Sequence, residues 1–519
     1  MPFQPSVIQR IAIGDMLRRA AARAPGKTAL IEGERRLSYR ELDQRCNQLA
    51  NHLLAQGLKK GDAVATLCLN SIEQVVMAFG IAKAGLVWVP MNVMLAGEQI
   101  QYILGQVEAR LVIADDELLA PVRAAIEAVC PAVLVNRVSS PPGVAGPWLQ
   151  EVLQAAPTDE PEVQIEDRDL AQIMFTSGTT AHPKGVAISH LAVFVASLSG
   201  AIEGGIQHDD VTGVVMPIFH CAEHSLVAAF VHLGATMVIV RRFEPVAFMR
   251  TVQQHRLSWI FLLPMMYRAL LDHPERAGFD LSSLRLCLYA MQPMEPALLR
   301  RLTEEICPRF ALASGQTETY PGTTYFKPEY QLSKPGPYWG TPALINDMAI
   351  MDDEGQLLPQ GQVGELVVRG PNVMNGYYKN PEATAEACRH GWHHTGDLCF
   401  YDPDGLLVFV DRKKDMIKTG GENVASITVE TALLGHPAVG NAVVVGLPHE
   451  HWTEAVTAFV VLKPGQAADA EAVLAHCRQR LARHEVPKAV VFLPALPTTA
   501  TGKIQKNVLR QQYQQHFQA

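Results

Sequence analysis

At 519 residues, 48% hydrophobic and 18% charged, the chain has the make-up of a globular protein with room for about three domains or subdomains. A formal net charge of −8, with cationic runs no longer than Arg241-Arg242 and Arg412-Lys413-Lys414, removes the electrostatic case for nucleic-acid binding.

Residues 1–15 lack the basic-then-apolar order of a secretory leader. No run of about 18 apolar residues is present to span a bilayer; the longest, around 75–90, is broken by Lys83 and two glycines. A cytoplasmic protein is expected. Apolar spacing then predicts a helix over 39–56, a strand over 63–69, a helix over 72–84 and strands over 86–89 and 111–114. Loop-rich stretches at 139–146 and 156–161 precede a buried-strand pattern at Leu170, Ile173, Met174 and Phe175. Strands follow at 213–218, 236–240, 259–263 and 284–289, then a β-rich region over 349–368 and 406–410 with Asp-Glu-Gly and Pro-Asp-Gly turns. Past Gly420-Gly421 comes a small α+β pattern: helix 427–434, strands 441–445 and 455–462, helix 470–482, strand 489–492. This order predicts an α/β chain with layered, substantially parallel sheets in a large multi-subdomain N-terminal domain over 1–411, and a small α+β domain over 412–519.

The segment Phe175-Thr176-Ser177-Gly178-Thr179-Thr180-Ala181-His182-Pro183-Lys184-Gly185 packs hydroxyls, glycines and one lysine directly after a strand. Small residues let backbone N–H groups turn toward a phosphate, hydroxyls donate further bonds, and the lysine adds charge. The spacing is not G-x-x-x-x-G-K-[ST], which excludes the P-loop NTPase reading. A surface linker is the alternative, although linkers rarely follow an apolar strand and end in Pro-Lys-Gly. Nine cysteines are scattered singly; no C-x-x-C pair suggests zinc, and the odd count suits reduced thiols. Cys221 lies beside His220, but neighbours in a strand face opposite ways, which speaks against a thiol nucleophile there.

Further motifs stand in order: Pro217-Ile218-Phe219-His220 at a strand end, Gly315-Gln316-Thr317-Glu318, Trp392-His393-His394-Thr395-Gly396-Asp397, Asp411-Arg412-Lys413-Lys414-Asp415, Lys418-Thr419-Gly420-Gly421-Glu422-Asn423, and Leu496-Pro497-Thr498-Thr499-Ala500-Thr501-Gly502-Lys503-Ile504. Together, over nearly the whole chain, they strongly resemble the superfamily of adenylate-forming enzymes: acyl- and aryl-CoA synthetases, peptide-synthetase adenylation domains and beetle luciferases. Bacterial fatty-acyl-CoA synthetases are the nearest likeness.

The resemblance implies an ATP-dependent acid–CoA ligase whose small C-terminal domain is mobile. A carboxylate attacks the α-phosphate of ATP to give acyl-AMP and pyrophosphate; CoA then displaces AMP. Thr176, Ser177, Gly178, Thr179, Thr180 and Lys184 would hold phosphates, and Glu318 with Thr179 would hold Mg²⁺. Gln316, Thr317, Asp397 and Arg412 would hold the nucleotide, the last two at the ribose. Lys503 would bridge acid carboxylate and α-phosphate in the first step. Lys414 matches the hinge, and Lys418, Gly420 and Gly421 the loop facing the site during thioester formation, with room for the pantetheine arm. His220, Cys221, His224, Ala290, Met291, Gln292 and Gly315 would line the acyl pocket. Outside the family context Glu318 could be a helix-terminus carboxylate, Asp397 a turn cap, Lys503 a solvated lysine beside Lys506 and Arg510, and Gly420-Gly421 a plain turn.

The chain departs from the pattern at four places. Ala181 replaces a usual glycine. Ser314 stands where an aromatic commonly flanks adenine. Tyr289-Ala290-Met291-Gln292-Pro293 is bulkier than usual, which suggests a shortened acyl channel and hence a short- to medium-chain aliphatic acid. In His220-Cys221-Ala222-Glu223-His224, Glu223 is expected to point away from the acid and be solvated or paired; alternatively Glu223 and His224 read a polar or cationic acyl group. An aryl-CoA ligase, an acyl-AMP ligase loading a carrier protein and a non-catalytic acyl- or nucleotide-binding protein remain rivals. An amino-acid-activating domain lacks its amine-binding aspartate at Phe219-His220. A homodimer is left open.

Overall fold

The computed structural model describes residues 9–138, 146–176, 183–290, 294–498 and 504–518. Contacts divide it into two compact units, Met1–Met348 with Val368–His393, and Ala349–Val367 with His394–Ala519. The sequence boundary at 411/412 runs inside the second of these.

In chain order the strands begin β1 (Thr28–Glu32), β2 (Arg35–Ser38), β3 (Ala63–Leu67), β4 (Val87–Pro90), β5 (Leu111–Asp115), β6 (Val133–Asn136), β7 (Leu170–Thr176) and β8 (Lys184–Ser189). Next are β9 (Val211–Val214), β10 (Thr236–Ile239), β11 (Trp259–Phe261), β12 (Leu286–Ala290), β13 (Phe310–Ser314), β14 (Thr324–Phe326) and β15 (Tyr338–Pro342). Then follow β16 (Asp347–Met351), β17 (Gly364–Arg369), β18 (Gly376–Tyr377), β19 (His393–Tyr401) and β20 (Leu407–Arg412). The last are β21 (Ile417–Thr419), β22 (Glu422–Val424), β23 (Val439–His449), β24 (Thr453–Leu462) and β25 (Ala489–Phe492).

The first unit holds two strand layers. One runs β15-β14-β13-β12-β11-β9-β10-β1-β2, the other β18-β8-β7-β4-β3-β5-β6. Both have parallel centres, β13 to β1 in the first and β7 to β6 in the second. Their strands accordingly read as continuous apolar runs covered on both faces, as in the fully buried β3. Helices α1 (Ile13–Arg23), α2 (Tyr39–Ala55), α3 (Ile72–Lys83), α4 (His190–Glu203) and α5 (Cys221–Leu233) feed one shared apolar core.

Local chemistry explains their ends and faces. A capping box starts α2: Ser38 Oγ accepts from Glu41 N at 3.3 Å, and Glu41 Oε2 accepts from Ser38 N at 2.7 Å. Every residue of α3 is buried, so its charges must be paired. Lys83 Nζ reaches Asp43 and Asn47 at 2.7 Å and Glu160 at 2.6 Å, and Glu73 takes Arg35. The longest apolar run of the sequence is thus α3 followed by β4.

The second unit contains the strand run β16-β17-β19-β20 and a sheet ordered β22-β21-β24-β23, with β25 parallel to β24. Helices α6 (Ser426–Leu434) and α7 (Ala470–Arg478) cover one face of that sheet, and α8 (Lys506–Gln512) packs on the other.

One boundary that differs from expectation bears on the site. The strand expected over 213–218 is β9 and ends at Val214, because the chain turns at Pro217, which has no N–H to donate. Pro217–His220 is therefore no strand end. It leads into α5, with His220 Nδ1 accepting from Ala222 N at 3.3 Å. The alternation argument against a Cys221 nucleophile fails with it, since Cys221 opens a helix.

Candidate active site

Open α/β sheets place ligands beyond the carboxyl ends of their parallel strands. In the first unit the marked residues gather at such ends: Thr176 closes β7, Ala290 closes β12, and Gly315 to Glu318 follow β13. Strands β7 and β8 pair Thr176 with Lys184 and Phe175 with Gly185, an ordered antiparallel stem. Ser177, Gly178, Thr179 and Thr180 lie outside the described residues, as do Met291, Gln292 and Lys503.

Glu318 sits in a single 3₁₀ turn, Thr317–Thr319. Gln316 N donates to Thr319 Oγ1 at 3.2 Å, closing that turn. The segment before and through β18, which sequence reasoning passed over, grips it from the other side. Met374 N donates to Glu318 O at 2.8 Å, Asn372 Nδ2 to Thr319 O at 2.6 Å, and the Tyr377 hydroxyl to Glu318 Oε1 at 2.9 Å. Lys184 Nζ lies 4.7 Å from the centre of the same Tyr377 ring. Gly315 is packed so closely that a Cβ would stand 2.8 Å from Gly322 N, which forbids a side chain there. The only sequence signal for this clamp was Asn-Gly-Tyr at 375–377, which reads as a turn.

Three groups near the acyl-pocket positions are buried and neutral. The Cys221 thiol lies 3.4 Å from Thr317 Oγ1, and burial pushes it up to about 12. It is a packing thiol, so the doubt about a nucleophile stands on burial instead of strand geometry. His224 bonds the Tyr320 hydroxyl through Nδ1, and its ring centre lies 4.8 Å from that of Trp88. Burial pulls its pKa down to about 3. Glu223 is 3% exposed, and burial drives its pKa well above the usual carboxylate value against the Val215 backbone amide. The expected solvation or ion pairing is therefore corrected. Glu223 is a neutral buried acid with no ionic partner among the described residues, because α5 turns that position into the core.

In the second unit, β19 and β20 pair Asp397 with Arg412, whose Nε donates to Asp397 Oδ1 at 2.8 Å. Glu365 on β17, another residue the sequence did not single out, organises them. It accepts from Gly396 N at 3.0 Å and from Lys413 Nζ at 3.1 Å. Lys414 is exposed in the turn after β20. Gly420 and Gly421 join β21 to β22 with φ of +60° and +86°, a left-handed pair that glycine adopts without strain. Lys418 is exposed beside them, its N–H donating to Glu454 at 2.7 Å.

No cluster of three or more His, Cys, Asp or Glu that could hold a metal exists among the described residues. A carboxylate on a short turn, Glu318, fits Mg²⁺, which keeps waters and shares substrate phosphates instead of filling a protein cage.

The chain matches the models of the AMP-binding enzyme over residues 17–378 and of the AMP-binding enzyme C-terminal domain over 428–503. It is 36% identical over 496 residues to a feruloyl-CoA synthase from an Amycolatopsis species, covering 95% of this chain and 98% of the relative. A long-chain-fatty-acid–CoA ligase of Mycobacterium tuberculosis is 34% identical over 511 residues, with 96% and 98% covered. Among solved structures, ATP-bound MatB from Rhodopseudomonas palustris superposes with a TM-score of 0.88 at 28% identity, over 97% of this chain and 99% of that one.

Proposed function

The chain belongs to the AMP-binding enzyme family and is an ATP-dependent acid–CoA ligase, and from that premise we propose how its own residues carry the reaction and which acid it takes. The observation that carries the assignment is the meeting of Lys184 and Glu318 on one tyrosine at the strand ends. Lys184, with Thr176 and the hydroxyls of 177–180, holds the β- and γ-phosphates. Glu318 and Thr179 would hold Mg²⁺, which when bound neutralises charge across the phosphate oxygens.

Asp397 accepts the ribose hydroxyls, held in place by Arg412 and by the Glu365 contact to Gly396. Gln316 and Thr317 flank the nucleotide. Lys503 places its ammonium between the acid carboxylate and the α-phosphate, where negative charge develops. Lys414 is the hinge between the 1–411 and 412–519 domains. Lys418, Gly420 and Gly421 face CoA. Nine free cysteines and the need for ATP and CoA support action in the reducing cytoplasm.

His220, Cys221, Ala290, Met291, Gln292 and Gly315 bound the acid. The neutrality and burial of Glu223 and His224 favour an acid with an uncharged body over a cationic one. A short- to medium-chain aliphatic acid is the first reading; the 36% identity to a feruloyl-CoA synthase favours an aryl acid as the second. ATP–pyrophosphate exchange across aliphatic, aryl and cationic acids, followed by CoA-dependent AMP release, tests both. Exchange is expected with the uncharged acids and thioester on adding CoA. Exchange without thioester would point to a carrier-protein acceptor, and no exchange with any acid to a binding protein. Exchange confined to cationic acids would overturn the reading of the pocket.

A further inference from the structure

We propose that Tyr377 is a positioning residue that holds the phosphate-loop lysine and the Mg²⁺ carboxylate apart and poised before nucleotide arrives. The proposal deepens the reading above and rests on it. Lys184 and Glu318 carry opposite charges at one strand-end site, and left to themselves such a pair closes into a salt bridge. In this structure they do not pair with each other. The ring face of Tyr377 takes the ammonium at 4.7 Å, and its hydroxyl takes the carboxylate at 2.9 Å.

The backbone fixes the ring between them. Strand β18 pairs Tyr377 with Val186 and Gly376 with Ala187, next to Lys184 on β8. Tyr378 N donates to Gly185 O at 2.7 Å, and Tyr377 N to Thr384 Oγ1 at 2.9 Å. Three and five residues earlier the same segment holds the Glu318 turn through Met374 and Asn372. One short stretch, 372–378, therefore sets the spacing of both charged groups. Gly376 has φ +136°, and a Cβ on it would stand 2.8 Å from Thr384 Cγ2, so a side chain ahead of the tyrosine would be strained.

An ammonium held on an aromatic face is freed cheaply to a phosphate, whereas one locked in a carboxylate bridge must first break it. The Tyr377 device thus removes a cost from Mg·ATP binding. It has no counterpart in the second half-reaction, where triphosphate and Mg²⁺ have left.

The test uses the full chain and two variants. Tyr377→Phe keeps the ring and loses only the hydroxyl; Tyr377→Leu loses both contacts. Calorimetric titration with ATP, with and without Mg²⁺, reads binding directly. Tyr377→Phe is expected to weaken Mg·ATP binding about tenfold while changing Mg²⁺-free ATP binding less. Tyr377→Leu should weaken both. Thioester formation from supplied acyl-adenylate should stay within about twofold of the parent in each. Wild-type affinity in Tyr377→Phe, or a parallel fall of both half-reactions with a lowered melting temperature, would overturn the proposal. Absence of pyrophosphate exchange in the parent chain would instead overturn the functional reading beneath it.

Discussion

Glu223 costs the fold something at neutral pH. Buried on α5 with its carboxyl neutral, it binds a proton that the unfolded chain releases above its ordinary pKa of 4.5. The native state then holds more protons than the unfolded one, so the Glu223 contribution is full at low pH and is lost as pH rises from 4.5 toward the raised native value. His224 acts in the opposite sense. Its native pKa near 3 lies below the ordinary 6.5, so its contribution is full above 6.5 and is lost as pH falls through that window. Glu223→Gln removes only the first dependence. It should gain on the order of 1–3 kcal/mol over the parent at pH 8 and nothing near pH 4. Urea unfolding across pH checks this; equal midpoints at pH 8 would show that folding does not raise the Glu223 pKa. The sequence could not reveal this burial. A charged residue reads as solvated or paired until the helix that turns it inward is seen, and that helix was hidden by an apolar run continuing past Pro217.

At the scale of elements, α8 shows why a basic C-terminal stretch is easily misread. Lys506 and Arg510 lie four apart and so share one helix face. Lys506 Nζ reaches Glu430 Oε1 at 2.8 Å and Ser426 Oγ at 2.6 Å, and Arg510 reaches Asp415 Oδ1 at 2.7 Å. Spacing announced a common face but not its partners, which come from α6 and from the turn after β20. Ahead of α8, Thr498 and Ile504 form an antiparallel bridge and Gln505 N donates to Pro497 O at 2.8 Å. The stem of the segment bearing Lys503 is thereby tied to the same anchor. Lys506→Met should cost about 2 kcal/mol, because the half-buried Glu430 is left without its cation. Adding Glu430→Leu should return much of that loss. Chemical denaturation of the two variants decides: a double variant no better than Lys506→Met alone would make the pair irrelevant to stability. Element types were otherwise legible where a period was long or a strand fully apolar, as in α2, α3 and β25. Ends were not, since β9 and α7 stop where a proline or a cap intervenes.

For the whole molecule, motif order carried more than any single motif. Thr176-to-Lys184 alone said phosphate, and Asp397 alone could have capped a turn. Only their succession along the chain with Glu318, Arg412 and Lys503 specified acid activation. What succession could not specify was the support: Tyr377, Asn372 and Glu365 act through geometry between segments far apart in sequence, and no local pattern marks them. The proposed division of labour between domains also belongs to the whole chain, and Lys503 is where it can be tested. If its ammonium neutralises charge only while the acid attacks the α-phosphate, Lys503→Ala should lower pyrophosphate exchange by about 100-fold or more. Supplied acyl-adenylate should still react with CoA at close to the parental rate if, as proposed, Lys418, Gly420 and Gly421 serve that step. Gly421→Leu should show the reverse, sparing exchange and slowing thioester formation, although its φ of +86° adds strain of about 1 kcal/mol that a melting curve would register. A crossed pattern requires two separate surfaces of one small domain. Equal loss of both half-reactions in Lys503→Ala would place a single surface at both steps and remove the need for Lys414 to act as a hinge.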